Sequence, residues 1–182
     1  MKNNFNFCPK CGKQNIQNHQ NRKWFCPDCG FELYCNIAAA VGVIIYDKYN
    51  NILLEVRAKN PRKGFLALPG GFVDADESAE NAIIRECKEE IGCEVYNVSF
   101  LCSNPNTYEY RNIEYKTCDI FFTARLSENY ENIDDFIKSL KKQDSEVEGF
   151  VSKSITSSKD VDALPLAFDS AVHTLKKWLE EK

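Results

Sequence analysis

The stretch GGFVDADESAENAIIRECKEEIGC, residues 70–93, decides the reading of this chain. It opens on a glycine pair that ends the apolar stretch Leu66-Ala67-Leu68-Pro69, and from Ser78 to Ile91 it contains no glycine or proline. Ala79, Ala82, Ile83 and Cys87 recur at helical spacing and Gly92 stands at the stop position, so the pattern predicts a helix over 78–91 with one apolar face. Glu86, Glu89 and Glu90, three and four residues apart, are expected to project together opposite that face. Like charges at this spacing repel, which a divalent cation among them would relieve; hard oxygen ligands suit Mg2+ or Mn2+. The alternative is a solvated acidic face.

Upstream of this stretch, the run Ala38-Ala39-Ala40-Val41-Gly42-Val43-Ile44-Ile45-Tyr46 reads as a buried strand, residues 47–51 as a turn, and Ile52 to Arg57 as a second strand. Downstream, Val95 to Ser103 and Tyr115 to Leu126 are strand-like. Ile133, Phe136, Ile137 and Leu140 suggest a short amphipathic helix, and Phe168 to Glu181 a closing one. Strands and helices mixed without regular alternation predict an α+β fold, an α/β/α sandwich around a mixed sheet.

Before residue 36 the texture differs. Cys8-Pro9-Lys10-Cys11-Gly12 and Cys26-Pro27-Asp28-Cys29-Gly30 are two knuckles separated by 14 residues. Each is a tight turn that aims two sulfurs at one point, with a glycine free to take positive φ, and together they predict a closed tetrahedral four-thiolate site, zinc ahead of iron. A segment this short cannot fold on a hydrophobic core, so metal binding would supply its folding free energy. A redox dithiol pair is the minor alternative. The boundary is therefore set at 1–36 for the small module and 37–182 for the main domain. Of the nine cysteines, the remaining five read as reduced thiols; Cys35, Cys102 and Cys118 lack a histidine or partner spacing and are expected in the core.

Composition bounds the rest. The 182 residues suffice for one domain and an accessory module, and 43% hydrophobic content supports a real core. A net charge of -4 argues against a general polyanion binder. No apolar run approaches a membrane span, and residues 1–5 do not read as a signal peptide, so a cytoplasmic protein is expected. The acidity is local: residues 71–93 carry -5 and the rest +1.

Gly71, five residues, Glu77, seven residues, then Arg85-Glu86-Cys87-Lys88-Glu89-Glu90-Ile91-Gly92-Cys93 resembles the Nudix box, with every fixed position met and Cys87 and Cys93 in place of bulky aliphatics. A ribbon followed directly by such a domain is similar to the NADH pyrophosphatase family and to related zinc-ribbon enzymes that split FAD or ADP-ribose. The resemblance implies a Nudix sandwich over 37–182, a zinc ribbon over 1–36, and metal-dependent hydrolysis of a nucleoside diphosphate linked to another moiety. It implies that Glu86 and Glu90 bind Mg2+ or Mn2+ with the Gly70 carbonyl, that Glu89 is a further ligand or the base, and that Arg85 and Glu77 pair to hold the loop on the helix. A fourth carboxylate is expected from a later loop: Glu146, with Glu148 the alternative.

For substrate contact, Arg57, Arg62 and Lys63 flank the entry to the glycine pair and could meet phosphate, or remain solvated. Tyr108 and Tyr110 could stack on a base, or be ordinary strand aromatics. The stretch Ser103-Asn104-Pro105-Asn106-Thr107-Tyr108 keeps the Ser and first Pro of the NADH-pyrophosphatase signature and has no Trp. The resemblance implies a small-molecule dinucleotide or nucleotide-sugar-like substrate and a homodimer. NAD-capped RNA is left among the substrates, nucleic acid otherwise being the minor expectation, and no membrane partner is expected. The competing class is a Nudix-fold ligand sensor or nucleic-acid-binding regulator contacting its target through the ribbon, where Lys2, Lys10, Lys13, Arg22 and Lys23 outweigh Asp28 and Glu32.

Overall fold

The computed structural model of the protein describes residues 5–93, 95–111 and 113–182; Lys2, counted above with the ribbon's basic residues, lies outside them. The chain begins with three short antiparallel strands, β1 (Gln17–His19), β2 (Lys23–Phe25) and β3 (Glu32–Tyr34), in the order β1-β2-β3. Trp24 is buried among them with Phe5 edge-on at 5.1 Å. The two cysteine knuckles have the same wiring. The Gly12 and Gly30 amides donate to the Cys8 and Cys26 carbonyls at 2.9 Å, and the Cys8 and Cys26 amides donate to the Lys13 and Phe31 carbonyls at the same distance. Gly12 and Gly30 have φ of 72° and 68°, which is why glycine follows each knuckle.

The main sheet has six strands. β4 (Ala38–Tyr46), β5 (Asn51–Arg57), β6 (Leu66–Ala67), β7 (Ser99–Tyr110) and β8 (Ile113–Arg125) lie in the order β6-β5-β4-β8-β7, and β9 (Val147–Ser154) also pairs with β5. β4 and β8 are parallel and the other pairs antiparallel, so the sheet is mixed, as expected.

Side-chain alternation divides the core into two layers. Val43, Ile45, Leu53 and Phe122 pack against Ile83 and Cys87 of α1 (Ala79–Glu90), against its C-cap Ile91, and against Ile133 and Phe136 of α2 (Ile133–Ile137). Ile44, Ile52, Leu54 and Phe121 face the other way, onto Val161 of α3 (Ser158–Asp162) and Leu175 and Trp178 of α4 (Asp169–Glu180). Helices therefore cover both faces. Cys87 is fully buried in the first layer and the half-buried Cys93 packs beside it, so both thiols act as small apolar residues.

Three local expectations differ. The β7/β8 hairpin is longer than its apolar segments: among the described residues β7 pairs only with β8, so at this edge Pro105 withholds no hydrogen bond that a second neighbour would need. α3 was not anticipated; its capping box, Ser157 with Asp160, makes a five-residue helix without an apolar repeat. Cys35 is exposed rather than in the core, because it follows β3 in a connection that no layer covers; Cys102 and Cys118 are half-buried. Among the described residues no helix is long and apolar enough to cross a membrane.

Candidate active site

β4 and β5 are in register only near their hairpin, at Tyr46 and Ile52, and then diverge. The glycine-pair segment lies alongside the freed part of β4: the Val43 amide donates to Pro69 (3.0 Å), Val41 to Gly71 (2.8 Å), and Val73 to Ala39 (3.1 Å). Two glycines make this approach feasible. A Cβ on Gly70, which has φ 141°, would stand 2.1 Å from the Val41 carbonyl oxygen, and one on Gly71 would stand 2.5 Å from Glu86 Oε1. The glycine pair is thus wedged between β4 and the carboxylates of α1.

The result is a cavity of 340 Å3. Its lining combines the acids Glu86, Glu89, Glu90, Glu146 and Asp74 with Gly70, the cations Arg57 and Lys59, the aromatics Phe72, Tyr108 and Phe168, and the polar Asn106, Thr117, Asp119 and Ser170. Tyr108 lies 5.7 Å from Phe168 and 5.5 Å from Phe72 between ring centroids, and the Arg57 guanidinium sits 5.2 Å above the Phe168 ring. Asp119 is buried and accepts from Thr117 Oγ1 (2.6 Å), Ser170 Oγ (2.7 Å) and Asn106 Nδ2 (2.9 Å), which ties β7, β8 and α4 together.

Arg85 organises the acidic wall. Its Nε and Nη2 donate to Glu77 at 3.0 and 2.9 Å, Nη1 to Glu86 at 2.8 Å and Glu89 at 3.3 Å, and Nη2 to the Phe72 carbonyl at 3.0 Å. The guanidinium hydrogen bond holds the Glu77 carboxyl below its ordinary range, although burial opposes this. Burial raises Glu86, with Arg85 pulling the other way. Glu90 differs from expectation in being buried instead of lying opposite the apolar stripe; three residues beyond Cys87, it falls on the stripe's edge. Burial pushes its carboxyl up to about 8 against the pull of the Gly70 amide, which donates to Glu90 Oε2 at 2.8 Å, and the charges of Glu86 and Glu146 add to the rise.

The expected residues therefore separate. Glu86, Glu89, Glu90, Gly70, Glu146, Arg57 and Tyr108 share the cavity, and Arg85 and Glu77 stand behind it. Arg62, Lys63, Tyr110 and Glu148 do not line it. Arg62 is an exposed turn residue stacked on Phe65 at 5.6 Å, and Tyr110 lies at the far end of β7 under Arg111 at 5.1 Å. Glu146 pairs with Lys59, whereas Glu148 is exposed on β9. Not expected from the sequence are Lys59, Phe72, Phe168 and Asp119 in the cavity lining and, outside that lining, the buried Glu55. The last two carried a signal, a lone acid within an apolar strand: Leu54-Glu55-Val56 and Cys118-Asp119-Ile120.

In the ribbon, the sulfurs of Cys8, Cys11, Cys26 and Cys29 lie within 4.8 Å of one another, a soft tetrathiol set that fits zinc. Among the described residues no other group of possible ligands is so closely gathered. The glutamates instead turn onto local donors: Glu86 and Glu89 onto Arg85, Glu90 onto the Gly70 amide and Glu146 onto Lys59. Their hard oxygens, in the lining of one cavity, suit a divalent cation.

A family model described as NUDIX domain matches residues 36–171. The NAD-capped RNA hydrolase NudC of Vibrio vulnificus is 33% identical over 105 residues, covering 58% of this chain and 40% of that protein. The ADP-ribose pyrophosphatase of Methanocaldococcus jannaschii is 53% identical over 62 residues, 34% of this chain and 36% of that protein. The matches thus span less than half the length of these curated relatives. Among solved structures, the NUDIX domain of Shewanella oneidensis NrtR complexed with ADP ribose superposes with a TM-score of 0.61 at 22% identity, covering 86% of this chain and 93% of that one. The NUDIX hydrolase from Nitrosomonas europaea gives 0.61 at 22% identity, covering 98% and 92%. At such identities these two show the fold.

Proposed function

Since the chain belongs to the NUDIX domain family, we propose that it is a Nudix pyrophosphohydrolase that splits the pyrophosphate bond of a nucleoside diphosphate linked to another moiety, in the class of NADH, FAD or ADP-ribose. The observation that carries this is the pairing within one cavity of an acidic wall from an intact box with Arg57, Lys59 and an aromatic group. The names of the sequence relatives, which act on NAD-capped RNA and ADP-ribose, lie in the same class.

In this reading Glu86 and Glu90, with the Gly70 carbonyl, hold Mg2+ or Mn2+, and Glu146 adds a carboxylate from the loop before β9. A divalent ion here neutralises phosphate oxygens and lowers the pKa of bound water. Glu89, the most exposed of the three helix glutamates, serves as a further ligand or takes the proton of the attacking water. Arg85 and Glu77 touch no substrate; they keep Glu86 and the Phe72 carbonyl in place, a positioning task. Arg57 and Lys59 meet phosphate oxygens, and Tyr108 and Phe168 stack on a base.

Residues 1–36 form the zinc ribbon, with Cys8, Cys11, Cys26 and Cys29 holding a structural Zn2+, and residues 37–182 the hydrolase domain. Thiolates must stay reduced to bind zinc, so the reading assigns the chain to the cytoplasm, and it keeps the expected homodimer. The sensor alternative would leave the box acids dispensable, and all of them are present. A panel of NADH, FAD, ADP-ribose, dinucleoside polyphosphates and NAD-capped RNA, assayed with Mg2+ and Mn2+, tests the proposal: metal-dependent cleavage at the pyrophosphate is expected, and no turnover of any member would sink it.

A further inference from the structure

Glu55 has no part in the reading above. It lies in β5 between Leu54 and Val56, is 4% exposed, and its Oε1 accepts no hydrogen bond, the one buried side-chain polar atom in that state among the described residues. A strand position of this kind is ordinarily filled by valine or isoleucine, and an unpaired buried oxygen costs stability there.

The alternation along β5 fixes where this carboxylate points. Ile52 and Leu54 pack into the layer under α4, whereas Leu53 packs into the layer under α1 and Arg57 lines the cavity. Glu55 shares the face of Leu53 and Arg57, so it is directed toward the α1 side. Its partners across the sheet, Ala67 on β6 and Phe150 on β9, have no polar side chain to offer. The charges that act on it are those of Glu90, Glu146 and Glu86, which repel it, and of Arg57, which attracts it. A buried carboxylate with a free oxygen, within electrostatic reach of three carboxylates that line one cavity, has the chemistry of a hard-cation ligand and not of a core filler.

We propose that Glu55 is a further carboxylate of the divalent-cation site, acting from the strand side while Glu86, Glu90 and Glu146 act from the helix and the loop. This rests on the metal-site reading given under the proposed function.

The test is Mn2+ binding to the full-length, zinc-loaded protein, followed by electron paramagnetic resonance of free Mn2+ and by the rise in melting temperature that Mn2+ produces. Glu55→Gln should raise the Kd for Mn2+ about tenfold or more and shrink that rise, while Glu128→Gln, an exposed acid elsewhere, leaves both within twofold of wild type. Glu55→Leu, which fills the position with apolar volume, should weaken Mn2+ binding equally and serves if the glutamine variant does not fold. Wild-type Mn2+ affinity in the folded Glu55 variants, with weakened binding in Glu90→Gln, would overturn this inference alone. Undiminished binding in Glu90→Gln as well would overturn the metal-site reading and this inference with it.

Discussion

Replacing Arg85 with lysine keeps the positive charge and removes the planar fork of donors. Arg85 reaches Glu77 through Nε and Nη2, Glu86 through Nη1 and the Phe72 carbonyl through Nη2, all between 2.8 and 3.0 Å. An ammonium group is a point charge on a flexible stem and can keep one or two of these. At least two hydrogen bonds to charged or carbonyl oxygens are lost, each worth about 1.5 kcal/mol at the lower end, which suits a side chain 26% exposed and partly screened by solvent. The sum, roughly 3 kcal/mol, corresponds to a fall in Tm of about 6–12 °C for a domain of this size. Urea titration of the zinc-loaded protein, followed by fluorescence and circular dichroism together, measures it. Because Glu86 and the glycine-pair backbone lose their brace, kcat should fall about 100-fold, the penalty expected when reacting groups shift by an ångström. A stability loss below about 1 kcal/mol with wild-type kcat would refute the idea that Arg85 braces the site.

Other outcomes follow from the same structure. Cys26→Ser should reduce the zinc content from about one ion per chain to nearly none, measured by atomic absorption, since a structural zinc site needs all four ligands. Tyr108→Ala should raise KM about 10-fold with little change in kcat, in line with the loss of one base-stacking contact. At Asp47, burial works to raise the carboxyl, but hydrogen bonds from Asn51, Ile133 and Tyr49 outweigh it and hold the group below its ordinary value. A depressed folded pKa contributes stability that is complete above the unfolded value and fades as pH falls below it. Asp47→Asn should therefore cost about 2 kcal/mol at pH 7, by leaving the Ile133 amide facing a donor, and progressively less below about pH 4, as read from denaturation curves across pH.

What the sequence reveals and what it conceals have physical reasons. The box is legible because its chemistry is concentrated in one glycine pair and one helix, where spacing alone sets which side chains share a face. The cysteine knuckles are legible for the same reason, each being a local turn. The cavity's other walls come from residues far apart in the chain, Lys59, Phe168 and Asp119, which meet only through the order of the strands and the packing of α4. Arg62 and Tyr110 were plausible by type, yet a turn and a strand end carry them away from the cavity. Glu90 shows the limit of a two-faced helix picture: it is acidic, yet its place at the border of the apolar stripe buries it, which is how it meets the Gly70 amide.

The most direct test of metal-dependent hydrolysis at this cavity is cleavage of ADP-ribose and NADH, with Mg2+ and with Mn2+, by wild-type protein and by Glu90→Gln. The glutamine keeps an oxygen for the Gly70 amide and the volume of the side chain, and removes the charge. Pyrophosphate cleavage by the wild type and a loss of about 100-fold or more in kcat for the folded variant are expected. Undiminished turnover by Glu90→Gln would contradict metal-dependent hydrolysis at this cavity.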